Sequence, residues 1–189
     1  GMEIEQAAKH VMRSASDTQT PQGVMLMLEN HSLTLPAAPN FVLVLDQVRD
    51  PGNAGTLLRT AEAAGVQAVC FTEGSVDPFS PKVMRSAMGA HFRLPIQTLS
   101  EQETLAFCQQ SGLKLWAAAA EEGHSCYQAD LAVPLALVIG SEASGVCPLL
   151  MEAADGLHIP MPGEAESLNA AVAGAVLLFE VVRQRTALS

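Results

Sequence analysis

The sequence predicts an α/β fold, a mostly parallel sheet with helices on both faces. Short apolar runs at residues 41–46, 66–71 and 135–140 recur along the chain, and uninterrupted runs of this length suit strands buried on both faces. Between such runs lie stretches whose apolar positions follow helical spacing, two of them closed by a glycine (Gly65 and Gly112). Strands that alternate with helices return in the same direction and build a parallel sheet.

Taken in order, residues 2–15 mix alanines and charges as a helix would, and Ser16 to Gly23 break that pattern. Residues 24–28 read as a short strand and 31–40, rich in proline and alanine, as a loop. Residues 41–46 are the first buried strand. Pro51-Gly52-Asn53 reads as a turn capped by Asn53, and 54–64 as a helix with Leu57, Leu58, Ala61 and Ala64 along one side. Residues 66–71 are the next strand, 81–88 a helix, 92–96 a short extended piece and 101–111 a helix. Strands follow at 113–119 and 135–140, a short helix at 147–154, a last strand at 156–159 and a long apolar helix at 170–182. Residues 1–35 form an N-terminal helix and linker, and 36–189 form one α/β domain.

Composition narrows the function. Hydrophobic residues make up 49% and charged residues 16%, the balance of a compact globular chain. No apolar run reaches the roughly 18 residues of a membrane span; the best candidate, 170–182, contains Glu180 and is followed by Arg183. Glu3, Glu5 and Lys9 interrupt any signal-peptide core. Cys70, Cys108, Cys126 and Cys147 lack a CxxC or cysteine–histidine spacing, which points to reduced, buried thiols in a cytoplasmic protein and to no metal site. Ten basic against twenty acidic residues give a net charge of −10, which argues against broad nucleic-acid affinity. A local basic site remains available at Arg59, Lys82 and Arg85, with Arg93 on the neighbouring element.

Three polar loops each follow a strand and so share the carboxyl edge of the sheet, where open α/β sheets bind ligands. The first runs from Asp50 through Asn53 to Arg59. Read plainly it is a capped helix with an arginine reaching solvent; read as a site, the guanidinium fork holds a phosphate or carboxylate while Asn53 orients a neighbouring group. The second, Gly140-Ser141-Glu142-Ala143-Ser144-Gly145, brackets an acid with glycines that permit close backbone approach to a ligand. The third, from Ile159 to Asn169, sets Met161-Pro162-Gly163 beside a strand end and delivers Ser167 and Asn169 at a helix start, where Ser167 suits a cap. Neither GxGxxG nor a P-loop lysine is present, so a nucleotide-phosphate fingerprint is missing.

Pro51-Gly52-Asn53-Ala54-Gly55, Arg59-Thr60-Ala61, Ser86-Ala87-Met88-Gly89-Ala90, Ile139-Gly140-Ser141-Glu142, Gly145, Ile159-Pro160-Met161, Gly163, Ser167-Leu168-Asn169 and Phe179-Glu180 together resemble the motifs of the SpoU (TrmH) class of RNA ribose 2′-O-methyltransferases, within the SPOUT superfamily. The resemblance covers residues from about 40 to 185 in order and spacing. It implies a C-terminal deep trefoil knot, a homodimer, and methyl transfer from S-adenosylmethionine to rRNA or tRNA. It further implies cofactor contacts at Ala118, Ala119, Gly140, Ile159, Met161 and Leu168, with Arg59 as the central catalytic residue among Asn53, Glu142, Ser167 and Asn169. Lys82 and Arg85 would join Arg59 in binding RNA. A second reading is a non-catalytic member that binds RNA or S-adenosylmethionine and regulates another process. Two departures stand out. The chain is acidic for an RNA enzyme, and the basic N-terminal domain of many family members has no room here. Gly1 ahead of Met2 reads as a tag remnant, so the sequence suggests a catalytic domain taken from a longer protein, with weak RNA affinity of its own.

Overall fold

The computed structural model of the 189-residue chain describes residues 4–16, 20, 22–27, 29, 33–119 and 123–187. The chain divides into two compact units, residues 1–31 and 32–189. Among its described residues the first unit holds one helix, α1 (Lys9–Ala15), which has no side-chain cap and no buried residue. It is shorter than the 2–15 expected: residues 4–8 are not helical, and residues 2 and 3 lie outside the described residues. The expected strand at 24–28 does not form over 24–27, where Val24, Leu26 and Met27 are exposed; Leu28 lies outside the described residues. Apolar composition alone does not make a strand, because its backbone groups need a partner ladder. The expected break at 16–23 and loop at 31–40 each fall partly on residues outside those described.

The second unit is built on β1 (Phe41–Leu45), β2 (Ala68–Thr72), β3 (Ile96–Leu99), β4 (Lys114–Ala118), β5 (His124–Ser125), β6 (Leu135–Ile139) and β7 (Asp155–His158). They form one sheet in the order β3-β2-β1-β6-β4-β7-β5, every pair parallel. The helices are α2 (Pro51–Ala63), α3 (Pro81–Ala87), α4 (Glu101–Gln110), α5 (Pro148–Ala153) and α6 (Ala170–Thr186). Alternate strand residues face opposite ways. Leu43, Phe71 and Leu137 pack with Leu57, Val83 and Leu177 from α2, α3 and α6. Val44, Cys70 and Val138 pack with Cys108 and Leu150 from α4 and α5 on the other face. Helices therefore cover both faces, as the apolar strands require.

In this unit three boundaries differ from the sequence reading by three residues or more, each for a local reason. Helix α2 starts at Pro51 because the Asp50 carboxylate accepts the Asn53 N–H at 2.7 Å and caps it; proline at the first position gives up no needed donor. Asn53 thus lies in the first turn and is not the cap. Residues 92–96 are not extended: Met88 and Gly89 both take left-handed φ, 50° and 86°, and lead into a 3₁₀ turn, Ala90–Phe92. Extension begins only at Ile96. Finally, α6 continues to Thr186, where Arg183 and Arg185 favour the helix carboxyl end.

At the carboxyl end of β1 sits Asp46, fully buried. Its carboxylate accepts the Thr72 hydroxyl at 2.7 Å and the Cys147 N–H at 2.6 Å, tying β1 to the end of β2 and to the segment after β6. Burial pushes the Cys147 thiol up to about 11, with the Asp46 charge adding to it, and lifts Cys70 and Cys108 to about 12. All four thiols are free and buried.

Helices α2 and α3 meet at Gly55, where an added Cβ would stand 2.3 Å from Ser86 Cβ and 2.7 Å from the Val83 carbonyl. Gly55→Ala is therefore expected to force the helices apart and destabilise the fold by roughly 1–3 kcal/mol, read as a lower midpoint in urea denaturation with an unchanged slope.

Candidate functional site

Because β1, β6, β4 and β7 run in parallel, the segments leaving β1, β6 and β7 emerge at one edge of the sheet. A line of hydrogen bonds joins them. Asn53 Nδ2 donates to Glu142 Oε1, and Asn169 Nδ2 donates to Asn53 Oδ1 at 3.1 Å. Asn169 Oδ1 in turn accepts the Ala171 and Val172 N–H groups at 3.0 and 3.3 Å, so Asn169 is the cap of α6 and Ser167 is not. Three of the five expected catalytic residues are thus brought together, each from a different loop.

The segment carrying Glu142 has a rigid base. Ser141 and Gly145 exchange backbone hydrogen bonds of 3.1 and 2.9 Å, and the Ser141 and Ser144 hydroxyls lie 2.8 Å apart. A Cβ on Gly140 would fall 2.2 Å from the Gly145 carbonyl carbon and 2.4 Å from Val146 N. Only glycine fits there, and that is what lets the loop fold back on the end of β6.

Beside this network lies a pocket of about 440 Å³, within the range of small-molecule sites. All six residues expected to touch a cofactor, Ala118, Ala119, Gly140, Ile159, Met161 and Leu168, line it, together with Glu142, Ser167 and Asn169. Sequence reasoning missed Ala170, Ala173 and Leu177, which form its helical wall, and Leu157 on β7. Their only signal was apolarity, which also marks core positions. Among the described residues, Glu142 is the single charged residue in the lining, and no lysine or arginine is present there.

Arg59 stands apart from this group. It lies about 9 Å farther along the axis of α2 than Asn53, is exposed, and makes no hydrogen bond or ion pair among the described residues. Ser167 is exposed and similarly without a hydrogen-bond partner there. Lys82 and Arg85 are exposed on α3. Elsewhere, Asp46, Glu101 and Cys147 bring potential ligand atoms within 4.8 Å of one another. These groups are engaged with one another and their neighbours: Asp46 accepts from Thr72 and Cys147, and Glu101 accepts from Gln47 Nε2 at 3.2 Å.

Fold and site together define a parallel α/β domain with a pocket of small-molecule size at its carboxyl edge, beside an asparagine–glutamate network. Residues 40–179 match the SpoU rRNA Methylase family, and the chain belongs to it. It is 34% identical over 182 residues to the 23S rRNA (guanosine(2553)-2′-O)-methyltransferase RlmP of Bacillus subtilis, covering 96% of this chain and 73% of that protein. It is 44% identical over 150 residues to the 23S rRNA (guanosine-2′-O-)-methyltransferase RlmB of Xanthomonas axonopodis, covering 77% and 59%. Among solved structures, the AdoMet-bound rRNA methyltransferase from Sinorhizobium meliloti superposes with a TM-score of 0.86 at 31% identity, covering 93% of this chain and 70% of that one. The chain thus spans only part of the length of these relatives.

Asn53 is the middle member of the network, bonded to both Glu142 and Asn169. Asn53→Ala is expected to cost about 1 kcal/mol of unfolding free energy. Asn53→Asp, which sets a second acid against Glu142, is expected to cost more. Urea denaturation of the two variants in parallel checks the order.

Proposed function

We propose that this chain methylates a ribose 2′-hydroxyl in rRNA or tRNA, with S-adenosylmethionine held in the carboxyl-edge pocket. The observation that carries the reading is the gathering of Ala118, Ala119, Gly140, Ile159, Met161 and Leu168 around one cavity. The donor set fits the cofactor. Apolar walls from Ile159, Met161 and Leu168 suit a flat purine, and the backbone at Gly140 can approach it closely. A lining that, among the described residues, holds one acid and no base favours a sulfonium cation and disfavours a nucleotide phosphate. S-adenosylmethionine, when bound, supplies an activated methyl group.

The protein's remaining work is alignment of the acceptor and removal of its proton. Asn53, Glu142 and Asn169 already satisfy one another, so they act as a rigid frame at the pocket mouth. Ser167, exposed and without a hydrogen-bond partner among the described residues, is available to bond the ribose. Arg59 holds an RNA phosphate through its fork, a role that suits a guanidinium better than proton abstraction because the group offers five N–H donors and no acceptor. The relatives' action on 23S rRNA guanosines supports an RNA ribose as acceptor.

The same reading carries a deep knot in the C-terminal part, a homodimer, a methyltransferase domain spanning 36–189 and a cytoplasmic location. Support for the knot comes from β7, which follows β4 and β5 in sequence yet lies between them. Gln184 on α6 also donates to the Cys126 and Ala129 carbonyls and accepts the Leu131 N–H, fastening the segment after β5 over the last helix. Support for the dimer comes from Val172 and Phe179, half-exposed apolar residues seven apart on α6. For the location, the chain has four free thiols, and among the described residues no helix is long and apolar enough to cross a membrane.

Calorimetry is expected to show S-adenosylmethionine binding to the chain, and Arg59→Ala is expected to keep that affinity within a few-fold. In the full-length protein on its own RNA, the same substitution is expected to abolish methyl transfer. Binding without transfer by the unsubstituted full-length protein would instead favour a regulatory, non-catalytic role. Sedimentation is expected to give a dimer; a single species of 20 kDa at micromolar concentration would remove the homodimer from the reading.

A further inference from the structure

The basic residues of the second unit fall into two groups. Arg93 pairs with Glu62 at 2.7 Å, Lys114 with Asp155 at 2.9 Å and Arg183 with Glu180 at 2.7 Å, while Arg185 donates to the Asn40 and Val133 carbonyls. Arg49, Arg59, Lys82 and Arg85 make no side-chain bond among the described residues. In a chain of net charge −10, these unpaired cations all lie on α2, the loop leading into it, and α3.

The same elements carry exposed apolar groups. Met88 and Phe92, at the turn that ends α3, are 67% and 62% exposed. Two contacts set α3 and its turn against α2: Gly55 meets Ser86 and Val83 of α3 near the Asn53 end, and Arg93, just after the turn, pairs with Glu62 about one helical turn beyond Arg59. An aromatic ring and several cations are thus set on adjoining elements next to the helix that bears Asn53.

We infer that the outer surface of α3 and its 3₁₀ turn is a landing site for single-stranded RNA flanking the nucleotide to be methylated, Phe92 stacking on a base and Lys82 and Arg85 holding phosphates. The inference rests on the RNA reading above and deepens it by naming the form of RNA and the stacking residue. Single strands offer both base faces and phosphates, whereas a duplex hides its bases. A second copy of this chain is the poorer occupant, because a two-fold contact through this patch would set its cations against themselves.

The test is fluorescence anisotropy of the chain with a labelled single-stranded oligoribonucleotide of mixed sequence at low ionic strength, with a hairpin duplex as the comparison. S-adenosylmethionine calorimetry runs on the same variants. Phe92→Ala is expected to weaken single-strand binding about tenfold, and Phe92→Trp to restore it. Joint replacement of Lys82 and Arg85 by alanine is expected to flatten the log–log salt slope by about 1.4, two phosphates' worth for a single strand. Cofactor affinity stays unchanged throughout. The inference is overturned if Phe92→Ala binds RNA as the parent does, if the parent binds no single strand or favours the duplex, or if Phe92→Ala dissociates a dimer without touching RNA affinity. Loss of cofactor binding in the parent would count against the function proposed above and leaves the anisotropy to decide the surface on its own.

Discussion

The carboxyl edge of the sheet is organised by one buried charge. Asp46 has no exposed surface, and an isolated carboxylate there would be prohibitively costly. It is retained because hydroxyl and N–H donors from two other segments close on it, and bonds to a charged acceptor are the stronger kind. The consequence is mechanical. The loop after β6 is held at one end by Gly140, which folds it back, and at the other by Cys147, whose N–H is fixed by Asp46 across 101 residues of sequence. With both ends fixed, Glu142 is delivered to Asn53, and Asn53 to Asn169 at the start of α6. Remove the buried charge and the frame around the pocket loses its anchor.

Much of this was legible in the sequence, for a definable reason. Strands buried on both faces read as continuous apolar runs, so β1, β2, β4 and β6 could be placed from composition alone, and their alternation with helices implied the parallel edge that gathers the loops. The six cofactor positions on strand ends and loops followed from motif resemblance and lie around one cavity. What failed were features that depend on a partner. The N-terminal apolar stretch has strand composition but no ladder. Two-residue β5 has no apolar run and exists only because β7 lies beside it. Helix α2 was started too late because Pro51 and Gly52 look like breakers until Asp50 is seen to cap them. Ala170, Ala173 and Leu177 were missed because helical periodicity marks an apolar face without saying whether it meets a core or a cavity.

The site also separates two kinds of recognition that often share one surface. Among the described residues, the pocket is lined by apolar groups, a few small polar side chains and a single acid, while the cations without a partner there lie outside it, on α2, the loop leading into it, and α3. Pairing elsewhere sharpens this contrast: Arg183 is taken up by Glu180, whose carboxyl lies below its ordinary range chiefly because of that bond. Neutralised basic residues on one side leave the remaining ones to define a direction of approach for a polyanion, even on a chain with twice as many acids as bases.

The strand order has a kinetic consequence. β1 pairs with β6 from Phe41 opposite Leu135 onward, and Asn53 meets Asn169 across 116 residues. A ribosome releases the first of each pair long before the second. Non-local pairings of this kind are slow to form, and they leave apolar strands waiting for their neighbours. During synthesis β1 must therefore keep one edge open until β6 has emerged, and the pocket comes into existence only when α6 docks. The cofactor then meets a finished protein or none, so it can reward completed folding but cannot guide its early steps.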